Sequence, residues 1–314
     1  MAKKKTELSR LNWLVDISEA QSAREAMAIA DFLGWNVTLV DLYLEDGQNI
    51  SPFRGIARKE IGTSETTIYA VVKRYTVIQN EDYAAAIDLF VRGAEAKYTR
   101  AGERPGGVTA IQATQTQTYN IPGTDHLIQG VFIAVNSHDT SRSFGFELVP
   151  KLVNTNTYLQ LLKTNKLDGQ EQIFKRKHTG DGPKQLADGV QTTLQGFSVA
   201  MGDFVKAASY MNAVNLTADQ FGHALKSVFP YSDNESQTKK AKVEKRRSGA
   251  MEVFLTSPAL EKSRGSVWAG YLAVAIYMDE QFAPPELHFD EAKEVRKAKK
   301  SAWEVLSKYY IANK

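Results

Sequence analysis

The chain has 314 residues, with 39 Lys and Arg against 36 Asp and Glu, so a net charge of +3 says little about partners until the charges are placed. It has no cysteine, which excludes disulfides, thiolate metal sites and cysteine nucleophiles and makes a reducing cytoplasm the expected compartment. The longest apolar stretch, VWAGYLAVAIYM at 267–278, falls short of the run of about 20 that a membrane span needs, and no apolar core follows the basic start MAKKKTELSR, so neither a span nor a secretory signal is expected.

Residues 1–17 read as a flexible N-terminus. The stretch SEAQSAREAMAIADFL (18–33) reads as a helix, with a capping box from Ser18 and Gln21 or from Ser22 and Glu25, and Gly34 suits its C-terminal end. Trp35, Val37 and Leu39 alternate with polar partners and predict a strand. The β-branched and aromatic run 66–79 predicts another strand or hairpin. Asn80 caps a helix over 80–92, whose apolar stripe is Tyr83, Ile87, Phe90 and Val91. Two strands flank the Gly/Pro turn at 102–107, and VFIAV (131–135) and FGFELVPKLV (144–153) complete a strand-rich region, with Pro150 marking an edge or a bulge.

After about residue 160 the pattern turns helical. Leu186, Val190, Leu194, Phe197, Met201, Phe204, Val205 and Ala208 fall at spacings of three and four and predict one long amphipathic helix over 184–214. Thr217 and Gln220 form a capping box for a shorter helix ending before Pro230. The polar run 231–249 reads as a mobile basic loop. Helices over 263–282 and 290–311 follow, divided by the APP break at 283–285. The expected class is therefore α+β: an antiparallel β-rich α+β core over 18–160, then a helical region over 161–314.

The His138-Asp139 pair, set between VFIAV and FGFELV, raises the question of catalysis. The five histidines stand at 126, 138, 178, 223 and 288, and none forms an HxH, HxxxH or HExxH pair, so no local metal site is announced. Ser137 and Ser141 lack a GxSxG elbow. Asn, Ser, Asp and Thr in NSHDTSRS suit a turn between strands, with Arg142 the foremost ligand contact. GERPGG at 102–107 lacks the Lys-Ser/Thr of a P-loop. Basic clusters say more. Lys175, Arg176 and Lys177 lie together, Lys239, Lys240, Lys242, Lys245, Arg246 and Arg247 crowd 239–247, and Lys73 and Arg74 adjoin Tyr75. Cations beside aromatic residues suit a single strand held by phosphate contacts and base stacking, with Tyr75 and Phe144 as stacking candidates that could equally be core.

Several stretches together resemble the phage/plasmid-like protein family of unknown function. They are GWNVTLVDLY (34–43), YAVVKRYTVIQNEDYAAAIDLF (69–90), AKYTRAGERPGGVTAIQAT (96–114), NSHDTSRSFGFELVPKLVNTNT (136–157), RKHTG (176–180) and VWAGYLAVAIYMDE (267–280). Asn154-Thr155-Asn156 stands where members of that family commonly carry Cys-Asn. The resemblance implies a mobile element in a bacterial host cell and a DNA transaction. In outline the layout is also similar to strand-annealing proteins of the RecT and Redβ type, a fold-level analogy. The leading expectation is a non-catalytic, oligomeric binder of single-stranded DNA or RNA with no cofactor. Two other readings stay open: a metal-dependent nucleic-acid hydrolase using His138, Asp139 and Glu147, and a host-interaction protein that docks through its helices.

Overall fold

In this computed structural model the described residues are 13–59, 65–104, 106–153, 155, 157–159, 173–176, 186–282 and 293–311. Antiparallel sheets fill the N-terminal half and helices the C-terminal half. In chain order, β1 (Leu14–Asp16) is followed by α1 (Ala23–Ile29), β2 (Val37–Tyr43), β3 (Asn49–Lys59) and β4 (Thr66–Val72). A 3-10 turn (Asn80–Tyr83) leads into α2 (Ala84–Gly93), then β5 (Ala96–Arg104), β6 (Val108–Asn120), β7 (Leu127–Ser137), β8 (Phe144–Leu152) and β9 (Ile173–Arg176). The helices are α3 (Leu186–Ala213), α4 (Ala218–Val228), α5 (Gln237–Thr256), α6 (Val267–Phe282) and α7 (Lys293–Ile311). The strands form a six-stranded sheet, β1-β5-β6-β7-β8-β9, and a three-stranded sheet, β2-β3-β4. The chain divides into two compact units. Unit 1 is Met1–Thr116, Val131–Leu148 and Leu167–Ser198; unit 2 is Gln117–Gly130, Val149–Lys166 and Val199–Lys314.

In unit 1, the helix α2 lays Ile87, Phe90 and Val91 into the core, as its stripe predicts. Phe90 stacks on Phe132 at 3.9 Å between ring centroids, Phe132 on Phe146 at 5.2 Å, and Phe144 meets Tyr83 at 4.9 Å. The Asp88 carboxylate on the same helix accepts from the Ala23 N–H at the start of α1 (2.7 Å) and from the Tyr98 hydroxyl. The expected helix over 18–33 is shorter because Ser22, not Ser18, is its cap: the Ser22 hydroxyl accepts from the Glu25 N–H. The Ser18 N–H is held instead by Asp16. A flexible start reaching residue 17 is corrected, since Leu14–Asp16 pair with Gly102, Ala101 and Arg100 of β5, and Trp13 and Ile17 are buried. The strand expected over 66–79 stops at Val72. Beyond it the Gln79 side chain takes over the pairing, accepting from the Val37 N–H (3.0 Å) and donating to the Val37 carbonyl (2.8 Å).

Pro150 lies on β8 past the reach of β9, which pairs only Phe144–Glu147, so its missing N–H breaks no ladder there.

Unit 2 is centred on α6, where every residue from Val267 to Asp279 is buried. Phe204 stacks on Trp303 at 5.1 Å, and Tyr271 meets Trp303 edge-on. The Thr217–Gln220 capping box opens α4 as expected. The mobile loop expected over 231–249 is corrected: from Gln237 the chain is the helix α5, begun by Ser236, whose hydroxyl accepts from the Lys239 N–H. Only Val243, Ala250 and Phe254 of α5 are buried, too sparse a stripe to register as amphipathic. Lys, Arg, Ala and Glu are nonetheless good helix formers, and pairs such as Lys239–Glu235 (2.6 Å) add support. Among the described residues no helix is long and apolar enough to cross a membrane.

Candidate functional site: the end of strands β7 and β8

Strand β7 ends on Asn136 and Ser137, and the following His138 is carried inward rather than into solvent: all three are fully buried. Burial obliges their polar groups to find partners, and the partner they share is Asn80. Its Oδ1 accepts from Thr109 Oγ1 (3.1 Å) and Asn136 Nδ2 (3.2 Å) and lies 3.4 Å from His138 Nε2, while its Nδ2 donates to the Phe32 carbonyl (2.9 Å). Asn136 Nδ2 donates also to the Ile78 carbonyl (3.0 Å). His138 Nε2 thus stands 3.4 Å from both Asn80 Oδ1 and Asn136 Nδ2. Tyr83 Oη sits 3.2 Å from Thr109 Oγ1, and burial raises its phenol far above the usual range, keeping it a neutral donor.

An aromatic cluster covers the histidine. Tyr69 stacks on His138 and Trp35 on Tyr69, Trp35 is tilted against His138, each pair at 6.1 Å between centroids, and the Arg58 guanidinium lies 4.0 Å from the Trp35 ring centre. Gly107 makes room for Tyr69: it has φ +81, and an added Cβ would come within 2.9 Å of that ring. Its carbonyl accepts from the His138 N–H (2.9 Å).

Asp139 finds partners of its own. Its Oδ1 accepts from Ser137 Oγ (2.5 Å) and the Ser141 N–H (2.9 Å). Partial burial pushes this carboxyl upward, but the Ser137 and Ser141 hydrogen bonds and the nearby Arg104 outweigh it and hold the group below the ordinary aspartate range. His138 thus faces the core network, whereas Asp139 closes the turn. Glu147 is buried on β8. Among the described residues no group of three or more His, Asp or Glu could hold a metal.

Around this turn unit 1 gathers cations. The exposed Lys73 and Arg74 follow β4, and Tyr75 ties their bend to the turn by donating its hydroxyl to the Ser137 carbonyl (3.0 Å). Burial first, then the charge of Asp139, raises the Tyr75 phenol. The half-buried Arg142 has its N–H bound to Ser137 Oγ (3.3 Å). On the edge strand β9, Arg176 pairs with Phe144 and Lys175 with Gly145, two and three residues beyond Arg142. Lys177 lies outside the described residues. Two cations the motifs did not single out, Arg58 and Arg104, belong to the same end. Arg58 was hidden because β3 has no alternating pattern, and Arg104 because it stands alone beside the Gly/Pro turn at 102–107 rather than in a basic run.

Phe144 is core and cannot stack on a ligand: it is fully buried between Tyr83 and Phe146. The second expected cluster sits on α5 in unit 2, and much of it has structural work. Arg247 donates to the Phe229 carbonyl (2.6 Å) at the end of α4, pairs with Glu244 (2.7 Å) and lies over the Tyr231 ring. Lys239 pairs with Glu235, Lys240 donates to the Asp233 carbonyl (2.7 Å), and Arg246 lies 5.7 Å from the Phe282 ring. Lys242 and Lys245 are exposed.

Fold and site together define an α+β chain with a cationic sheet end over a buried Asn-His-Tyr-Thr network. The chain belongs to the family described as Domain of unknown function (DUF932), whose profile matches residues 68–307. No curated protein and no solved structure matches it.

Proposed function

We propose that the chain is a single-stranded nucleic-acid-binding protein whose strand contacts the cationic end of unit 1. The observation that carries this reading is the convergence of Lys73, Arg74 and Arg142 with the β9 positions Lys175 and Arg176 around the Ser137 turn. The buried network fixes that turn, so the cations stand on a rigid base rather than on a loose loop. Phosphates supply the partner such a surface needs, and strand annealing, on the phage or plasmid setting the motifs suggest, is the finer form of the proposal. Lys242 and Lys245 on α5 are further candidate contacts.

Binding of a fluorescent oligonucleotide across a salt series tests it. Affinity should fall linearly on logarithmic axes with rising salt. Replacing Lys73, Arg74 and Arg142 by Gln should flatten the slope by about 2, at about 0.7 per phosphate contact on a single strand. Absence of binding at low salt, or a slope unchanged in the triple variant, would overturn the proposal. A complementary-strand annealing assay then separates annealing from binding alone.

A further inference from the structure

The three-stranded sheet carries a second surface with an unusual composition. Strand β4 reaches only to Val72, opposite Arg54, so beyond that point β2 and β3 continue as a two-stranded ribbon. Every residue from 43 to 54 is exposed except Ile50, which is half-exposed. Large apolar side chains on this ribbon are exposed among the described residues: Tyr43 is 62% exposed, Leu44 50% and Phe53 46%. The turn is nevertheless ordered, with the Leu44 N–H bound to the Gln48 carbonyl, Gly47 to Leu44, and Gln48 to the Asp46 carboxylate. A lone two-stranded hairpin is marginally stable in water, and clustered exposed apolar residues mark an interaction surface.

Charge selects the occupant. Asp41, Glu45 and Asp46 stand against Arg54 alone, so the ribbon repels phosphates and repels a second ribbon. It matches a basic protein surface, and the chain presents one at the end formed by Lys73, Arg74 and Arg142. We infer that the β2–β3 ribbon of one copy docks on the cationic end of unit 1 of a second copy, its apolar residues buried and its carboxylates paired with Lys73, Arg74 and Arg142. Ribbon and end are different patches, so the contact is head-to-tail and propagates into rings or filaments rather than closing as a two-fold dimer. This association shares the cationic end with the nucleic-acid reading but does not depend on it.

Sedimentation velocity of the full chain over a concentration series provides the test. The wild-type chain should self-associate, and raised salt should weaken it. The ribbon variant Glu45→Lys/Asp46→Lys and the end variant Lys73→Glu/Arg74→Glu should each sediment as monomers, and Phe53→Ser should lower association without a charge change. Mixing the two charge variants should restore assembly, because each reversed patch then finds its reversed partner. A wild-type monomer at all concentrations, a ribbon variant that still assembles, or a mixture that stays monomeric would overturn the inference. Oligonucleotide binding by the monomeric ribbon variant keeps the two readings apart. Retained binding supports the assignment of ribbon to protein contact, and loss of binding would give the ribbon to nucleic acid and overturn it. Failure of the wild-type chain to bind any oligonucleotide, with self-association intact, would remove the nucleic-acid reading alone.

Discussion

Replacing Asn80 by Ala should strike unit 1 harder than its small size suggests. Its side chain faces five buried groups: the Phe32 carbonyl, the Thr109 and Tyr83 hydroxyls, one Asn136 amide proton and His138 Nε2. Thr109 and Tyr83 have each other as alternatives at 3.2 Å, but the other three lose this partner in a place water does not reach. A buried polar group left unsatisfied costs about 1–3 kcal/mol, so the lower bound for three is about 3 kcal/mol. At about 2–4 °C per kcal/mol for a body of this size, the unit 1 transition should fall by roughly 6–12 °C. Calorimetry with near-UV circular dichroism reads this directly. Thr109→Ala is the control: Tyr83 Oη stands 3.3 Å from Asn80 Oδ1 and can replace the lost donor, so the loss should be about 1 kcal/mol. Equal losses in the two variants would refute the assignment of Asn80 as the shared hub.

Two further predictions concern charge. The Asp139 carboxyl is depressed in the folded chain, so it contributes stability that is present above the unfolded aspartate value of about 3.9 and lost as pH falls through the folded value. The wild-type advantage over Asp139→Asn in denaturant melts should therefore be full near neutrality and shrink below pH about 4; an advantage independent of pH would refute it. In unit 2, Lys299 and Asp279 form a buried pair at 2.8 Å, and Lys299 also donates to the Tyr158 carbonyl. Lys299→Met should cost about 3–5 kcal/mol in urea unfolding, with most of it recovered in Lys299→Met/Asp279→Leu, because a stranded buried charge costs more than the absent pair. A double variant no better than the single one would count against that account.

The fold class was legible wherever periodicity or capping was strong. The stripe on α2, the Thr217–Gln220 box of α4 and the three-four spacing of α3 all mark helices that exist. What stayed hidden has physical reasons. Strand β3, NISPFRGIARK, carries Pro52 and Gly55 and spends half its length exposed, so it shows no alternation. Helix α5 hid because it buries only Val243, Ala250 and Phe254, which leaves no apolar stripe, and its helix-forming residues are mostly charged. At the site, NSHDTSRS does make the turn between β7 and β8, as its composition suggested. The inward path of Asn136 and His138 was not legible, because their partners come from Asn80, Gly107 and Tyr69, distant in sequence. The cations at 73, 74 and 142 could be named from the sequence, but their nearness depends on one hydrogen bond from Tyr75.

Unit 2 ties its earliest segments to its last ones. His126 Nδ1 accepts from Trp268 Nε1 (3.0 Å), and the Tyr158 carbonyl accepts from Lys299 (2.8 Å). During synthesis the stretches around residues 126 and 158 leave the ribosome well before their partners, at roughly 5–20 residues per second. Those polar groups must wait several seconds in water, and the loop they close is slow to form. Dissection of the gene at residue 160 would separate each of these partners from the other, so the helical region cut there should be less stable than the same helices in the full chain.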